Sequence, residues 1–417
     1  MEFTYDGIVR CGFGFYNPNH AAAFICAILP FVWLLFLSEK TFKKLLGAGL
    51  SCALFAALAL TYSRSGVLVA LLEGAAFVLF FGRRHWKIFS AAAGALLLAV
   101  ILSGGLGRWS FDSSAANRLE IWRAGLSLFA ANPFGVGLGN SGEIVTAFLL
   151  PEGINCRTLI NSHLTLLCEL GIFAGALWLS FIFYAAANGF TSGKSPLRFA
   201  AVIALLGLIA SSSLSSVFDF DVLFNPQKYE HFTPLNVALQ WANFLAFLLL
   251  GAILCLGNFA ARRCIFSATL TFAILFGIFL SGQTFAPAPK FQKSGGVEVV
   301  GYFQDAPERL VIFCGDFNLK SVLRILKKHN LDKNCAIAIR PFISESLPDT
   351  CAEQIILFGN CADYANTTKK LCILINPSPH FLPQNDNISQ IYLPKWDSTY
   401  SRLKQQFPAG ESCNMLK

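Results

Sequence analysis

Charge is scarce in this sequence. Only 13% of its 417 residues are Asp, Glu, Lys or Arg, while 55% are hydrophobic; a soluble globular protein carries about 25% charged residues. That shortage excludes a disordered chain, a fibrous one and an ordinary cytosolic protein. A dense basic stripe is missing too, so the net charge of +8 is no nucleic-acid footprint, and no nucleic-acid partner is expected. No Cys/His spacing matches a zinc site. The N-terminus lacks the basic start and small-residue cleavage site of a removable signal peptide.

Long apolar runs take the place of charge. A helix needs about 20 mainly apolar residues to cross the hydrocarbon of a bilayer. Eight stretches qualify, at roughly 20–37, 45–62, 65–82, 87–103, 163–187, 197–217, 235–257 and 264–282, and no Lys or Arg falls in their apolar cores. They are too long and too unalternating for barrel strands, so the expected fold is an all-α polytopic membrane bundle. The basic residues sit in alternate short loops: Lys40, Lys43 and Lys44; Arg83, Arg84 and Lys87; Lys194 and Arg198; Arg262 and Arg263. Those loops should face the cytoplasm. The outer side then receives residues 1–19, the turn at 63–65, the long loop 104–162, the loop 218–234 and everything after about 283. Every long polar segment is outside, where the chain is expected to work.

The division is therefore a membrane domain over 1–282, a linker over 283–296 and a small extracytoplasmic α/β domain over 297–417. In the last part, apolar runs at 310–315, 335–342, 354–359, 371–377 and 389–394 read as strands, and 319–330 has helical spacing. No phosphate loop and no nucleophile elbow appear there, so it receives no chemistry. If that part is extracytoplasmic a disulfide is possible, with Cys351–Cys361 the favoured pair, although Cys inside a strand is an ordinary small apolar residue.

Unusual polar residues gather in five outer patches: GFGFYNPNHAAAF (12–24), TYSRSG (61–66), the segment 117–142, NSHLTLLCELGIFAG (161–175) and SSVFDFDVLFNPQ (215–227). The GVGLGNSG stretch has no strand–helix unit around it and is not a dinucleotide loop. Glu73, in the middle of the third run, is the most costly residue by location.

In order and wording, these patches resemble the O-antigen ligase and polymerase superfamily of bacterial envelope enzymes. The resemblance rests on Asn17-Pro18-Asn19, Thr61 to Gly66, Arg118-x-x-x-Trp122, Asn132-Pro133 with the Gly-rich stretch, Asn161 to Gly175, and Ser215 to Phe220, and covers about residues 12–250. Members usually have ten to twelve spans, so the chain is expected to lack the first few. The family pattern places a His where Ile160 stands, followed by Asn161. Here His163 comes three residues later, so it either presents an imidazole to the same face or the base is lost.

The resemblance implies transfer of a glycan from undecaprenyl diphosphate to an acceptor hydroxyl, on a sugar or glycolipid, at the outer face of the inner membrane. The reaction would be that of a ligase or, alternatively, of a polymerase, with no cofactor and no metal. Fixed guanidinium groups would stabilise the departing diphosphate, and Arg64, Arg118 and Arg123 are the expected set, lining a cavity open sideways to lipid. Asn17, Asn19 and Asn161 are the expected polar substrate contacts. His163 is the expected general base. Asp219, with Asp221 beside it, is expected to orient the acceptor or a base, and to be the next candidate for the base should His163 not serve. A helix over 118–131 should bury Leu119, Trp122, Leu126 and Phe129. Two other classes stay open: a transporter or flippase, which should show internal repeats or broken helices that the sequence does not reveal, and a non-catalytic envelope assembly protein.

Overall fold

The computed structural model describes residues 2–5, 8–81, 94, 113–151, 153–191, 195–226, 232–256 and 260–285; beyond these it describes seven strands, residues 322–324 and 326, and residue 386. The chain is mostly helical. Seven of its helices are long and apolar enough to cross a membrane: Pro18–Leu37, Thr41–Leu60, Arg64–Phe81, Ser162–Thr191, Pro196–Leu214, Pro234–Cys255 and Ala261–Gln283. They coincide with seven of the eight runs read from the sequence. The other run, 87–103, lies outside the described residues except for residue 94.

Local chemistry sets where these helices begin. Helix α1 (Pro18–Trp33, continued by a 3₁₀ turn Leu34–Leu37) starts at Asn17, whose side chain accepts the Asn19 amide, with Pro18 in the first turn. Helices α2 (Thr41–Leu60) and α3 (Arg64–Phe81) are joined by the tight turn at Tyr62, where φ is 50°. Then come α4 (Ser113–Ala131), α5 (Ser141–Phe148), α6 (Ser162–Thr191), α7 (Pro196–Leu214) and the short α8 (Phe220–Phe224). Helix α9 (Pro234–Cys255) opens with a reciprocal cap between Thr233 and Asn236, and α10 (Ala261–Gln283) completes the bundle. At the expected inner end, Arg198 of α7 donates to the Leu254 carbonyl of α9 at 2.8 Å, and Arg263 donates to Asn188 of α6. Basic side chains there hold helix ends together.

Helix α1 is the buried axis, packed against α2, α3 and α7, while α6 contacts α4, α7, α9 and α10. The surface helix expected at 118–131 exists, but its buried face is shifted. Ile121, Ala124, Leu128 and Phe129 are buried, Trp122 and Leu126 are partly covered, and Leu119 is half-exposed. The predicted stripe was one residue out of phase because Ala124 carries little weight in a count of large apolar side chains, although it sits at the contact.

Two features were not read from the sequence. An antiparallel hairpin, β1 (Glu2–Tyr5) and β2 (Ile8–Cys11), precedes α1. Part of the expected linker is also strand: β3 (Phe291–Ser294) pairs antiparallel with β4 (Val297–Val300). The later strands are β5 (Arg309–Cys314), β6 (Cys335–Arg340), β7 (Gln354–Gly359), β8 (Leu371–Ile375) and β9 (Ile388–Ile391), in the order β3-β4-β6-β5-β7-β8-β9. The run β6-β5-β7-β8-β9 is parallel. Four described residues fall in the helix expected at 319–330, and the Cys351–Cys361 pair lies outside the described residues.

Glu73 of α3 is buried, and neither carboxyl oxygen has a hydrogen-bond partner among the described residues. Its carboxyl lies against Gly207 of α7, in space that a side chain at 207 would fill. A buried polar group without a partner costs about 1–3 kcal/mol. Glu73→Met is therefore expected to raise the melting temperature of the purified protein. A fall would mean that the carboxyl contributes an interaction worth more than its burial.

Candidate active site

The N-terminal part of α6 is built around a break. Gly171 has φ 80° and ψ −174°, a conformation essentially restricted to glycine, so the helix is interrupted after its first two and a half turns. The break frees the Cys168 and Glu169 carbonyls and the Ile172 amide. The Gly-rich segment after α4 inserts there. Val136 N donates to Cys168 O at 2.9 Å, Gly137 N to Glu169 O at 3.0 Å, and Ile172 N to Pro133 O at 2.8 Å. Backbones approach so closely that a side chain at Gly135 would collide with the Glu169 carbonyl and Gly171, and one at Gly171 with Phe134. The Asn-Pro and Gly-rich motif is thus a plug that satisfies an interrupted helix. Unlike the broken helices expected of a transporter, whose freed backbone groups face a substrate, this break is filled by protein.

The plug fixes two carboxylates. The Ser141 hydroxyl donates to Glu169 Oε1 at 2.7 Å, and the Asp221 carboxylate rests against Gly139, where φ is 75°. Asp221 also accepts the Asn225 side-chain amide at 3.0 Å.

Beside them lies a cluster assembled from three distant parts of the chain. Asp219 caps α8 by accepting the Val222 amide through Oδ1. Its Oδ2 accepts the Tyr16 hydroxyl at 3.1 Å and forms an ion pair with Arg157 Nη2, which also donates to Tyr16 Oη at 3.3 Å. The guanidinium lies 5.8 Å from the Tyr16 ring and 6.0 Å from that of Phe232, and these two rings stack at 4.5 Å. Burial first, and then the Asp219 carboxylate, hold the Tyr16 hydroxyl well above its ordinary pKa, so it stays a donor. Segment 158–162 is tied to the same place: Thr158 and Ser216 share a hydrogen bond at 2.5 Å, and Phe218 N donates to Ser162 Oγ at 2.9 Å. His20 packs edge-on against Tyr16. Gln240 donates its amide to Val217 O, so its oxygen accepts from His20 Nδ1 at 3.0 Å.

The residues expected from sequence are distributed as follows. Asn17 and Asn161 are helix caps: Asn161 Oδ1 accepts the amides of His163 and Leu164, both at 3.0 Å. Asn19 holds Arg10 Nη2 at 3.0 Å, and Arg10 Nε reaches the Thr61 carbonyl, tying the hairpin to the α2–α3 turn. Arg64 is exposed at the start of α3. Arg123 pairs with Glu120 at 2.7 Å on the exposed side of α4. Arg118 reaches across to the Leu214 carbonyl at 3.2 Å, five residues before Asp219.

His163 turns inward. Trp178 Nε1 donates to its Nδ1 at 2.8 Å, and its Nε2 lies 2.9 Å from Ser212 Oγ and 3.3 Å from the Ile209 carbonyl. A neutral ring with hydrogen on Nε2 satisfies all three contacts, and its single lone pair is then occupied by the indole. It lines an apolar groove of about 360 Å³ between α4, α6, α7 and α10, walled by Trp122, Leu126, Leu179, Ile209 and Ile278 among others. Asn161 and Ser213 form the polar end of this groove. Arg118 meets the chain at Leu214, next to Ser213, so its guanidinium stands beside that end.

Arg157 and Tyr16 were not singled out from the sequence. The available signal was that Arg157 is the one Lys or Arg between Arg123 and Lys194. No curated protein and no solved structure matches the chain. Residues 48–179, which include the α2–α3 turn, α4, the plug, Arg157 and the outer part of α6, match the family model described as O-Antigen ligase. That membrane region belongs to the O-antigen ligase superfamily.

Proposed function

We propose that this protein transfers a glycan from undecaprenyl diphosphate to an acceptor hydroxyl, at the outer face of the bacterial inner membrane. One observation carries the reading: a groove with apolar walls ends at polar residues, with Arg118 beside that end and the Asp219 cluster a few residues further along the same chain segment. A lipid diphosphate has the same two-part chemistry. Its prenyl chain would lie in the groove while its headgroup stays at the polar end, the arginines offsetting charge that builds up as the sugar leaves.

In this reading, Asp219 is the proton acceptor. Its carboxylate is fixed by two donors besides Arg157, whereas His163 must give up Trp178 before its lone pair can take a proton. The acceptor oxygen attacks the anomeric carbon, its proton passes to Asp219, and the electron pair of the breaking C–O bond leaves with the diphosphate. Arg64 and Arg123 serve as outlying contacts for the charged headgroup. The tail after α10 lies on the outer side with the site.

The test is transfer by the purified full-length protein in detergent, supplied with an undecaprenyl-diphosphate-linked glycan and either a lipid A core or a second lipid-linked glycan. Release of free undecaprenyl diphosphate with a matching glycosylated product is expected with one of the two, and the productive acceptor separates ligase from polymerase. Ile278→Trp, which fills the groove, should raise the KM for donor about tenfold with little change in kcat, the pattern of lost binding common to ground and transition states. No product from either acceptor, or an unchanged KM in that variant, would sink the reading.

A further inference from the structure

The Arg157–Asp219 pair has an asymmetry that a purely structural ion pair does not need. The Arg157 side chain is 31% exposed and Asp219 only 2%. Asp219 is held independently of the arginine, by Val222 N at Oδ1 and the Tyr16 hydroxyl at Oδ2. Arg157 instead lies over the edge of a stacked aromatic pair, and its contacts to both Asp219 and Tyr16 run through the same nitrogen, Nη2. The carboxylate is thus held by donors of its own, while its cation is part-exposed beside two aromatic rings.

We propose that Arg157 is a displaceable lock: it neutralises Asp219 in the resting protein and moves to a diphosphate anion when one arrives, leaving Asp219 as a charged proton acceptor. This rests on the transfer reading and deepens it, because it makes competence for proton uptake depend on the donor being in place. While Arg157 Nη2 and the Tyr16 hydroxyl both bond Oδ2, and Val222 N bonds Oδ1, the carboxylate oxygens are turned to protein donors rather than to an acceptor hydroxyl. A diphosphate carries more charge than one carboxylate and offers more acceptor oxygens, so it competes for the same planar fork. No proton moves in the exchange. One ion pair breaks, one forms, and the guanidinium swings over Tyr16 and Phe232.

The exchange makes a prediction of opposite signs. Asp219 is an internal competitor for Arg157, so removing its charge should strengthen anion binding, whereas removing Arg157 should weaken it. The full-length protein in detergent would be titrated calorimetrically with inorganic pyrophosphate and, separately, with farnesyl diphosphate. Asp219→Asn should bind both probes about tenfold or more tighter than the unaltered protein, and Arg157→Gln about tenfold or more weaker, the size of one charge-assisted hydrogen bond. Asn and Ser both cap helices, so Asp219→Ser should behave as Asp219→Asn does and replaces it if that variant does not insert.

A merely structural ion pair would weaken binding in both directions, and that result overturns the proposal. So does an Arg157→Gln protein with unaltered affinity, which leaves the transfer reading standing as long as farnesyl diphosphate still binds. Binding of neither probe to any form overturns both readings. Tighter binding of farnesyl diphosphate than of pyrophosphate supports a lipid headgroup as the ligand. Equal affinities with the opposite signs intact support the same lock worked by a free diphosphate.

Discussion

Asp219→Asn should lower the rate of glycan transfer by about 10²–10⁴-fold, the range a positioned general base contributes. The loss should fall on kcat, because the Asn oxygen keeps the cap on α8 and the amide nitrogen in the place of Oδ2 can donate to Tyr16 Oη, while the charge that takes the proton is lost. His163→Gln gives the contrasting result. The imidazole bonds Trp178 and Ser212 and lines the groove, so its replacement should act mainly on the KM for the lipid-linked donor. Comparing the two variants by kcat and KM, with the same donor and acceptor, separates the candidates. Near-normal kcat in Asp219→Asn, together with a collapse in His163→Gln, would return the base to His163 and require Trp178 to release it during the reaction.

The membrane helices were legible because their signal is local. About 20 apolar residues in a row permit little else, and the caps at Asn17 and Thr233 are short-range chemistry visible in four letters. The site was only partly legible. Asp219 stood out as one of two acids in an apolar setting, but its partners lie 62 and 203 residues away in the chain, and spacing carries no information about them. The imidazole expected to face the acceptor faces Trp178; an unbroken helix would hold residues 163 and 178 about 22 Å apart, and the break at Gly171 between them lets the two side chains meet. The Gly-rich stretch shows its glycines in the sequence, but its role depends on a partner, Gly171, in another motif. Two motifs that looked separate along the chain are the two halves of one joint.

That joint gives the largest structural effect. Gly171→Ala should prevent the outer half of α6 from docking, with a loss of about 3–5 kcal/mol or more. Three terms act together. A β-carbon at φ 80° and ψ −174° is strained whatever surrounds it. The added carbon would meet the Phe134 backbone, which cannot move without breaking the Ile172 to Pro133 bond. If the plug retreats to make room, the Cys168 and Glu169 carbonyls lose their amide donors in a buried place. Glu169 and Asp221 then lose the Ser141 and Gly139 supports that set them beside Asp219. Gly135→Ala meets the same wall from the other side and should match it. Gly153→Ala supplies the control, since its φ of 91° carries the backbone strain but nothing among the described residues crowds the added carbon, and it should cost only about 1–3 kcal/mol. Thermal unfolding of the three purified variants, ranked against their transfer rates, tests this. If Gly171→Ala melts with Gly153→Ala, the strain is purely local and the plug does not support the site.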